Sequence, residues 1–463
     1  MSTGMATMQH NRVIFHIDVN SAFVSWSAVK ILAAGGQDIR LVPSAVSGDP
    51  SDRRSIVSAK SIPAGKYGIS TGEPISMALR KCPDLVIVRG DWEWYRTCSN
   101  DFISICRTFS PILEQFSIDE CFLDMSAHLD GKDPVQVACA LRDRIRNSLG
   151  FTVNVGIGSN KLLAKMASDF EKPDKVHTLW QEEIADKMWP LPVRNLLWVG
   201  RKTEARLTAS GIDTIGKLAT VGMMSLTAIT GQHSAEQLHA GANGIDNSPV
   251  CTEAEEAKSY SSERTFSRDI TQAQALDREL FKATVEVAHR IRKDGVRAYG
   301  VVAFIKTKDF EVYSRRSIMK QPSDVTGIIL NEARRIVSGL WDGITPLRQV
   351  GMGVYNLTHD RAEQLSLFQD DGHLEYLREW DREYDRKRER EEEARHPGKR
   401  AKAITFAYAG HEEALAAAKS TVKGRNGLSF GRISDGQGID GFEITDESGK
   451  VIELHIVKKT SRP

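Results

Sequence analysis

Apolar residues between positions 12 and 180 follow two different spacings, which predict a region that mixes strands with helices. Short apolar runs bounded by turn residues are typical of strands, whereas apolar positions three and four residues apart are typical of helices. The predicted strands are Val13–Ile17, Leu85–Val88, Phe116–Leu123 and Thr152–Ile157, and the predicted helices are Pro134–Ser148 and Lys161–Phe170. This alternation indicates an α+β arrangement.

The rest of the chain changes character several times, which indicates several domains. Residues 181–250 show a helical pattern with glycine turns, and residues 258–356 combine strands with a helix at Glu279–Lys293. A dense mixed-charge run at Tyr376–Arg395 predicts a solvated helix. Residues 401–463 alternate apolar and polar positions between glycines, so we expect a small strand-rich appendage there.

Two adjacent carboxylates, Asp119 and Glu120, interrupt a run that otherwise predicts a strand. Neighbouring strand residues point to opposite faces, so a bend between two short strands suits this pair better than one straight strand. A further acid, Asp18, ends the apolar strand that begins at Val13. Carboxylates gathered at one point repel each other unless cations lie between them, and Mg²⁺ is a natural guest. The pattern therefore indicates a two-metal phosphoryl-transfer site.

The composition is that of an ordinary globular protein, with 41% hydrophobic residues and a formal net charge of +1. Residues 258–356 contain 17 Lys and Arg against 11 Asp and Glu, which suits a phosphate-backbone surface and a solvated basic face equally well. We expect no membrane association, because no apolar stretch is long enough to span a bilayer and no signal-peptide pattern is found. The six cysteines lack CxxC spacing, so we expect reduced thiols and a cytoplasmic protein.

Three segments resemble, in order and in spacing, motifs of the Y-family DNA polymerases of DinB type. They are residues 15–23 (FHIDVNSAF), residues 117–120 (SIDE) and residues 155–169 (VGIGSNKLLAKMASD), the last followed by Lys172 and Pro173. Any one of these motifs alone is weak evidence, but three in the family order are specific. The similarity extends from about residue 12 to residue 368.

The resemblance implies an α+β multidomain, right-hand polymerase fold with palm, fingers, thumb and little finger, followed by a C-terminal extension. Two glycine turns, at residues 198–203 and 211–218, resemble a helix-hairpin-helix, in which glycine lets backbone amides approach a phosphate. The implied domains are a palm at 12–20 and 89–180, fingers at 21–88, a helix-hairpin-helix thumb at 181–250, a little finger at 258–356, a tail with a clamp-binding motif at 357–370, a charged helix or linker at 371–400 and a strand-rich appendage at 401–463.

The resemblance also implies the chemistry of particular residues. Asp18, Asp119 and Glu120 correspond to the catalytic side chains that hold two Mg²⁺ ions, and the backbone carbonyl of Val19 corresponds to a further ligand. Phe23 falls at the steric-gate position, where a bulky ring leaves no space for the 2′-hydroxyl of a ribonucleotide. These residues would select and join deoxynucleotides.

The nucleotide-binding positions match the family only in part. Lys165 falls where the resemblance places a triphosphate-binding lysine, and an ammonium group is a suitable point charge for phosphate. The fingers motif normally carries Tyr and Arg on the triphosphate, but Ile62 and Gly65 stand at those positions here. Because two triphosphate contacts are missing, weaker nucleotide binding or altered substrate choice is one expectation. Lys60 and Lys66 are the candidates to replace these contacts.

Residues 364–368 (QLSLF) resemble the peptide with which bacterial proteins bind the sliding clamp. Gln364 would supply a hydrogen-bonding handle, while Leu365, Leu367 and Phe368 would fill an apolar groove. An apolar cluster in a polar stretch supports a binding role over chance.

The resemblance as a whole implies a translesion DNA polymerase that adds deoxynucleoside triphosphates to a primer on primer-template DNA. We expect low fidelity, no proofreading, a monomer, and binding to a bacterial sliding clamp. A catalytically weak Y-family accessory protein is the main alternative, favoured by the altered fingers and disfavoured by the three retained carboxylates. Another palm-type nucleotidyl transferase, such as a nucleotide cyclase, is disfavoured by the thumb pattern and the clamp-like peptide.

Overall fold

The computed structural model divides into two compact units, residues 1–256 and 257–463, which are described separately. The residues that the structure describes are 12–52, 54–253, 256–360, 371–395, 405–408, 412, 415–416, 419, 428–434, 440–446 and 451–457. The predicted clamp-binding residues 364–368 lie outside the described residues.

The first unit consists of eight strands and eleven α-helices within its described residues. The strands are β1 (Ile14–Val19), β2 (Ser44–Ser47), β3 (Ala59–Lys60), β4 (Val86–Arg89), β5 (Leu113–Gln115), β6 (Glu120–Asp124), β7 (Val153–Gly158) and β8 (Val176–Leu179); the helices are α1 (Ala22–Ala33), α2 (Ile62–Gly65), α3 (Ile75–Lys81), α4 (Trp92–Arg107), α5 (Pro134–Leu149), α6 (Lys161–Ser168), α7 (Ile184–Lys187), α8 (Arg201–Ala209), α9 (Ile215–Thr220), α10 (Met223–Thr230) and α11 (Gln232–Ala242).

The largest sheet of this unit has the order β5-β6-β1-β7-β8, so β1 lies at its centre. β1 pairs antiparallel with both β6 and β7, while β7 and β8 are parallel. The predicted run Phe116–Leu123 is broken by a turn in which the amide of Phe116 donates to the carbonyl of Glu120. The bend that the adjacent acids predicted is therefore confirmed, because Asp119 and Glu120 lie where this turn enters β6.

The described residues of the first unit contain four groups of buried side chains, three of them larger than the fourth. One lies under the five-stranded sheet and contains Trp26 of α1 and Phe102 of α4. A smaller group supports the sheet of order β3-β2-β4, and a third joins α6 to the helices between residues 184 and 242. Helix α1 therefore packs with the five-stranded sheet, although the resemblance counted it with the fingers; the predicted domain boundaries stay predictions.

The second unit begins with a four-stranded antiparallel sheet of order β11-β10-β12-β9, with helices packed on one face. The elements of this unit are β9 (Ser259–Ile270), α12 (Ala273–Lys293), β10 (Arg297–Thr307), β11 (Val312–Ser323), α13 (Thr326–Ser338), β12 (Leu347–Thr358), α14 (Asp371–Arg395), β13 (Thr405–Tyr408), β14 (Leu428–Ser434), β15 (Asp440–Asp446) and β16 (Val451–Val457). Apolar residues of α12 and α13 form the core with the inward side of this sheet.

Helix α14 differs from the solvated helix that its mixed charge predicted, because one of its faces packs on α12 and α13. The ring of Trp380 lies 5.8 Å from that of Phe281. Asp381 is buried and accepts a hydrogen bond of 2.9 Å from the backbone amide of Thr326, at the start of α13. Arg292 of α12 donates to Asp385, one helical turn further along α14, at 2.7 Å. Acids spaced four residues apart thus serve as internal partners of α12 and α13 rather than as solvated charges.

The end of the chain contains the strand-rich region that the alternating pattern predicted. Its described strands form a sheet of order β13-β16-β15-β14, in which β13 and β16 are parallel and the other pairs are antiparallel. None of the six cysteines forms a disulfide, which agrees with the expectation of reduced thiols. No helix in the described part of the chain combines the length and the apolar character needed to cross a bilayer.

Candidate active site

Strands β1 and β6 bring two acids from distant parts of the chain face to face. Asp18 of β1 is the direct register partner of Glu120, the first residue of β6. Residues opposite each other in an antiparallel pair project to the same face of the sheet, with Cα atoms about 5 Å apart. Only 14% of the Asp18 side chain and 20% of the Glu120 side chain are exposed. The structure therefore pairs the acid of the first motif with an acid of the second.

A lysine contacts each of these two carboxylates. The Nζ atom of Lys165, on α6, lies 2.5 Å from Oε2 of Glu120, and Nζ of Lys172 lies 3.2 Å from Oδ2 of Asp18. Lys172 also contacts Asp169, at 2.8 Å. The positive charges offset the repulsion that two close carboxylates would otherwise feel.

The two carboxyl groups respond to their surroundings in opposite ways. Burial raises the pKa of Asp18 to about 6, although the nearby charge of Lys172 opposes the shift. Burial would also raise the pKa of Glu120, but hydrogen bonds from His16 and Lys165 outweigh it and lower this pKa to about 2. In the absence of metal, Glu120 is therefore firmly ionised at neutral pH, whereas Asp18 ionises only slightly below neutrality.

Asp119, the third predicted ligand, lies beside this pair without joining it. Its carboxylate accepts a hydrogen bond of 2.7 Å from the Ser117 hydroxyl, and its carbonyl accepts one of 3.0 Å from the amide of Val19. Among the described residues, no three Asp, Glu, His or Cys side chains converge as metal ligands would. The structure pins Asp119 and Val19 together through their backbones, and their ligand roles stay predictions.

The donor set suits a hard divalent cation. Carboxylate oxygens are the ligands that Mg²⁺ prefers, and the structure gathers two of these groups at one edge of β1 and β6. Each carboxylate is contacted by an ammonium group, which shows that its negative charge attracts a cation in the fold. Asp18 and Glu120 would hold the metal. The other two predicted ligands are their neighbours in sequence: the carbonyl of Val19 follows Asp18, and Asp119 precedes Glu120.

Helix α6, which carries Lys165, lies so close to β7 that only glycine fits between them. A Cβ atom at Gly156 would overlap the carbonyl oxygen of Ala164 and the backbone of Ser168, and one at Gly158 would lie 2.7 Å from the amide of Ala164. Both glycines belong to the third motif, whose physical basis is therefore close backbone approach. This contact sets the side chains of α6 against the acids of β1 and β6.

Phe23 follows the first motif onto α1 and packs in a cluster of aromatic rings. Its ring stacks on that of Tyr95 at 4.8 Å and meets the edge of Trp92 at 5.1 Å. The Tyr95 hydroxyl is in turn hydrogen-bonded to Ser27, at 2.7 Å. Phe23 is thus supported by other rings and remains partly exposed, and its steric-gate role stays a prediction.

The two fingers lysines differ in their surroundings. Nζ of Lys60 donates a hydrogen bond of 2.6 Å to the carbonyl of Ile69, and a Cβ atom added at Gly65 would lie 3.3 Å from this Nζ. An arginine at position 65 would therefore compete with Lys60 for the same space. Lys66 is exposed at the end of α2. The nucleotide-binding roles of Lys60 and Lys66 stay predictions. Of the two lysines, Lys60 is shown to lie beside Gly65, where the family normally has Arg.

Sequence reasoning missed two residues that touch the acid pair. Lys172 was noted only as part of a motif, and nothing in its spacing indicates the contact with Asp18. His16 is fully buried, and its Nε2 atom lies 3.2 Å from Oε2 of Glu120. Burial lowers the pKa of this imidazole, although the hydrogen bond to Glu120 opposes the shift. Strand periodicity could have identified His16, because residues two apart share a face and His16 precedes Asp18 by two.

Family models match both units of the chain. Residues 17–169 match the impB/mucB/samB family, and residues 257–367 match the C-terminal domain of the same family. The DNA polymerase IV of Clostridium acetobutylicum is 40% identical over 361 residues, which cover 78% of this chain and 91% of that protein. The DNA polymerase IV of Acetivibrio thermocellus is 33% identical over 364 residues, covering 78% and 90% respectively.

A solved structure supports the fold. The Y-family DNA polymerase chimera Dbh-Dpo4(243-245)-Dbh matches with a TM-score of 0.67 and 22% identity, covering 75% of this chain and all of that chain. Fold and acid pair together define a palm-containing polymerase. The chain belongs to the impB/mucB/samB family, the DinB-type Y family of DNA-directed DNA polymerases. The resemblance stated from the motifs and the predicted α+β right-hand fold class are confirmed, and polymerases of this family are generally metal-dependent.

The raised pKa of Asp18 predicts that this acid destabilises the metal-free fold. Its folded pKa of about 6 exceeds its ordinary 3.8, so the folded state loses stability as pH rises from about 4 to about 6, and the full cost is present at pH 7. Asp18→Asn should therefore raise the free energy of unfolding at pH 7 by about 1 to 3 kcal/mol, since one pKa unit corresponds to about 1.4 kcal/mol. Urea unfolding in the presence of a chelator measures this difference.

The gain should shrink at pH 5 and approach zero below about pH 3, where both states carry the proton. Asp124→Asn, at the other end of β6, is the matched control and should give no comparable gain. A variant at Asp18 that is less stable than the parent at pH 7 would contradict the assignment.

Proposed function

We propose that this protein is a translesion DNA polymerase that joins deoxynucleotides to a primer by two-metal phosphoryl transfer. The observation that carries the proposal is the opposed pair of Asp18 and Glu120, contacted by Lys165 and Lys172 and followed by Phe23 at the start of α1. Relatives named DNA polymerase IV match this chain over most of their length, which supports the same activity here.

The proposed cofactor is a pair of Mg²⁺ ions held by Asp18, Asp119, Glu120 and the carbonyl of Val19. When bound, such ions lower the pKa of the primer 3′-hydroxyl and neutralise charge on the triphosphate. The opposed strands β1 and β6 hold the two nearest carboxylates at a fixed separation, so little reorganisation is needed when substrate arrives.

The lysines have a role that follows from their position. Lys165 and Lys172 already lie within 3.2 Å of the carboxylates, so cations bound by the same two carboxylates would compete with the two ammonium groups for their negative charge. A triphosphate beside the same carboxylates would then take both lysines as partners for its negative charge. Lys60 and Lys66 would complete this binding from the fingers, in place of the Tyr and Arg that the family normally has.

The duplex would be held by the remaining domains. In the described residues, the sheet β11-β10-β12-β9 has α12 and α13 packed on one face, and residues 258–356 have the basic excess that suits a phosphate backbone. The helix-hairpin-helix turns of the thumb would add backbone contacts to phosphate. Primer-template DNA and deoxynucleoside triphosphates are thus the proposed substrates of a cytoplasmic monomer with low fidelity and no proofreading.

A catalytically weak accessory protein is the second candidate. Ile62 and Gly65 favour it, because both family contacts to the triphosphate are absent at these positions. The acid pair favours the polymerase, because an accessory role would not require two opposed, buried carboxylates. Primer extension by the purified protein separates the two candidates.

Loss of either acid in the SIDE motif should remove catalysis without removing DNA binding. Glu120→Gln and Asp119→Asn keep the side-chain volume but eliminate the ligand charge, so primer extension should fall by at least about a hundredfold. DNA affinity, measured by fluorescence anisotropy on the same preparations, should stay within about twofold because other domains hold the duplex. Asp124→Asn is the matched control on β6, and extension at the parent rate by Glu120→Gln would refute the metal assignment.

Removal of the Phe23 ring should admit ribonucleotides. Phe23→Ala opens space where the 2′-hydroxyl would lie, so the preference for deoxynucleotides over ribonucleotides should fall by roughly tenfold or more. Single-nucleotide incorporation kinetics with both sugars measure the ratio. Phe109→Ala, which removes a partly buried ring elsewhere in the same core, is the control. An unchanged sugar preference in Phe23→Ala would place the gate at another residue.

The QLSLF segment is proposed to bind a bacterial sliding clamp through Gln364, Leu365, Leu367 and Phe368. A few buried apolar side chains usually dominate such contacts, so changing both Leu367 and Phe368 to Ala should abolish binding to isolated clamp. Extension of a bare primer should be unaffected. A control with Gln369 and Asp370 changed to Ala should bind normally, and clamp binding retained by the first double variant would make the motif a coincidence.

A further inference from the structure

His16 is held at both nitrogen atoms beside the acid pair. It is fully buried on β1, two residues before Asp18, so both side chains lie on the same face of the strand. Its Nε2 atom lies 3.2 Å from Oε2 of Glu120, and its Nδ1 atom lies 2.7 Å from the hydroxyl oxygen of Ser168. The ring also packs against Phe122 at 4.7 Å. These two hydrogen bonds and the ring contact hold the imidazole in one orientation.

The hydrogen bonds define which nitrogen carries the proton. An ionised carboxylate only accepts, so Nε2 of His16 has to donate to Glu120. The Ser168 hydroxyl has one proton and two acceptors within reach, Nδ1 of His16 at 2.7 Å and the carbonyl of Lys165 at 2.8 Å. With a neutral imidazole, His16 donates through Nε2 to Glu120 and Nδ1 accepts, so the single Ser168 proton is shared between Nδ1 and the Lys165 carbonyl.

The two partners of Glu120 differ in mobility. His16 and Lys165 both contact Oε2, and Oε1 has no hydrogen-bond partner among the described residues. Lys165 reaches the carboxylate on a flexible stem and would leave for the triphosphate in the proposed reaction. His16 cannot leave, because Ser168 and Phe122 enclose it. After Lys165 moves, His16 is the contact that still fixes the Glu120 carboxylate.

We propose that His16 is a positioning residue, which holds Oε2 of Glu120 so that Oε1 stays directed toward the catalytic cation, with Ser168 setting the tautomer. The inference rests on the proposed metal role of Glu120. Partners that orient a ligand from behind typically change metal affinity or activity by about 10- to 100-fold when removed. Gly156 is part of the same arrangement: it is the register partner of His16 on β7 and gives Ser168 the space to approach.

Two polar substitutions separate positioning from packing. The amide nitrogen of Gln can reach the place of Nε2, whereas that of Asn reaches only as far as Nδ1. His16→Asn should therefore weaken Mn²⁺ binding by roughly 10- to 100-fold, and His16→Gln should restore it to within about threefold of the parent. Mn²⁺ is measured by electron paramagnetic resonance in a complex with DNA, a dideoxy-terminated primer and the next deoxynucleotide. Single-turnover extension should show the same order in kcat, with little change in KM.

The matched control is His177→Asn, which alters a half-buried histidine on β8 that contacts neither acid. It should bind Mn²⁺ like the parent. Thermal unfolding of every variant shows whether the fold persists, and the Asn-against-Gln comparison is made on folded protein. Mn²⁺ affinity in His16→Asn equal to that of the parent, or equal loss in His16→Asn and His16→Gln, overturns the positioning role.

Glu120→Gln distinguishes the two levels of the argument. If Glu120→Gln loses Mn²⁺ while His16→Asn does not, the proposed function stands and the inference about His16 is wrong. If Glu120→Gln binds Mn²⁺ as tightly as the parent, the metal role of Glu120 fails, and the inference fails with it.

Discussion

The arrangement of the palm depends on two carboxylates that face each other across β1 and β6. Asp18 and Glu120 are mostly buried, and two such charges repel strongly where water is scarce. The fold offsets this repulsion with Lys165 and Lys172 and with a hydrogen bond from His16. Even so, the pKa of Asp18 remains raised, because burial makes its ionised form unfavourable. A site kept in this state gains from any divalent cation that arrives, because the cation relieves the cost.

Close backbone approach is the second requirement, and it explains the glycines of the third motif. Gly156 and Gly158 let α6 lie directly on β7, and without that approach Lys165 would not reach Glu120 and Ser168 would not reach His16. The close packing of α6 on β7 therefore depends on both glycines. The chemistry of the acid pair depends on a steric condition several residues away from any charge.

The second unit uses buried charge for a structural purpose. Asp381 of α14 is buried against the start of α13, and Arg292 of α12 bridges to Asp385. Buried acids of this kind are costly unless every partner is present, so they specify how α14 docks rather than adding much stability. Carboxylates held by basic side chains thus occur in both units, at the acid pair of the first and at the docked helix α14 of the second.

Much of the fold and part of the site were predictable from local pattern. Apolar runs and helical spacing located six of the fourteen strands and α-helices of residues 12–180, and adjacent acids at Asp119 and Glu120 indicated the bend that the structure contains. The motifs indicated Asp18, Asp119, Glu120 and Lys165 as candidate site residues, because a motif depends only on residue types and their order along the chain. These features depend on the chain's immediate neighbours, which is why the sequence alone determined them.

Contacts between distant segments were decided only by the tertiary structure. His16 and Ser168 are 152 positions apart, and Asp381 and Thr326 are 55 apart, so no local spacing indicates either contact. The charge run of α14 looks solvated until α12 and α13 supply its partners. Likewise, Lys172 meets Asp18 only because β1 and the loop after α6 converge. Hydrogen bonds and ion pairs depend on distances of a few ångströms, which the folded chain fixes and the order of residues does not.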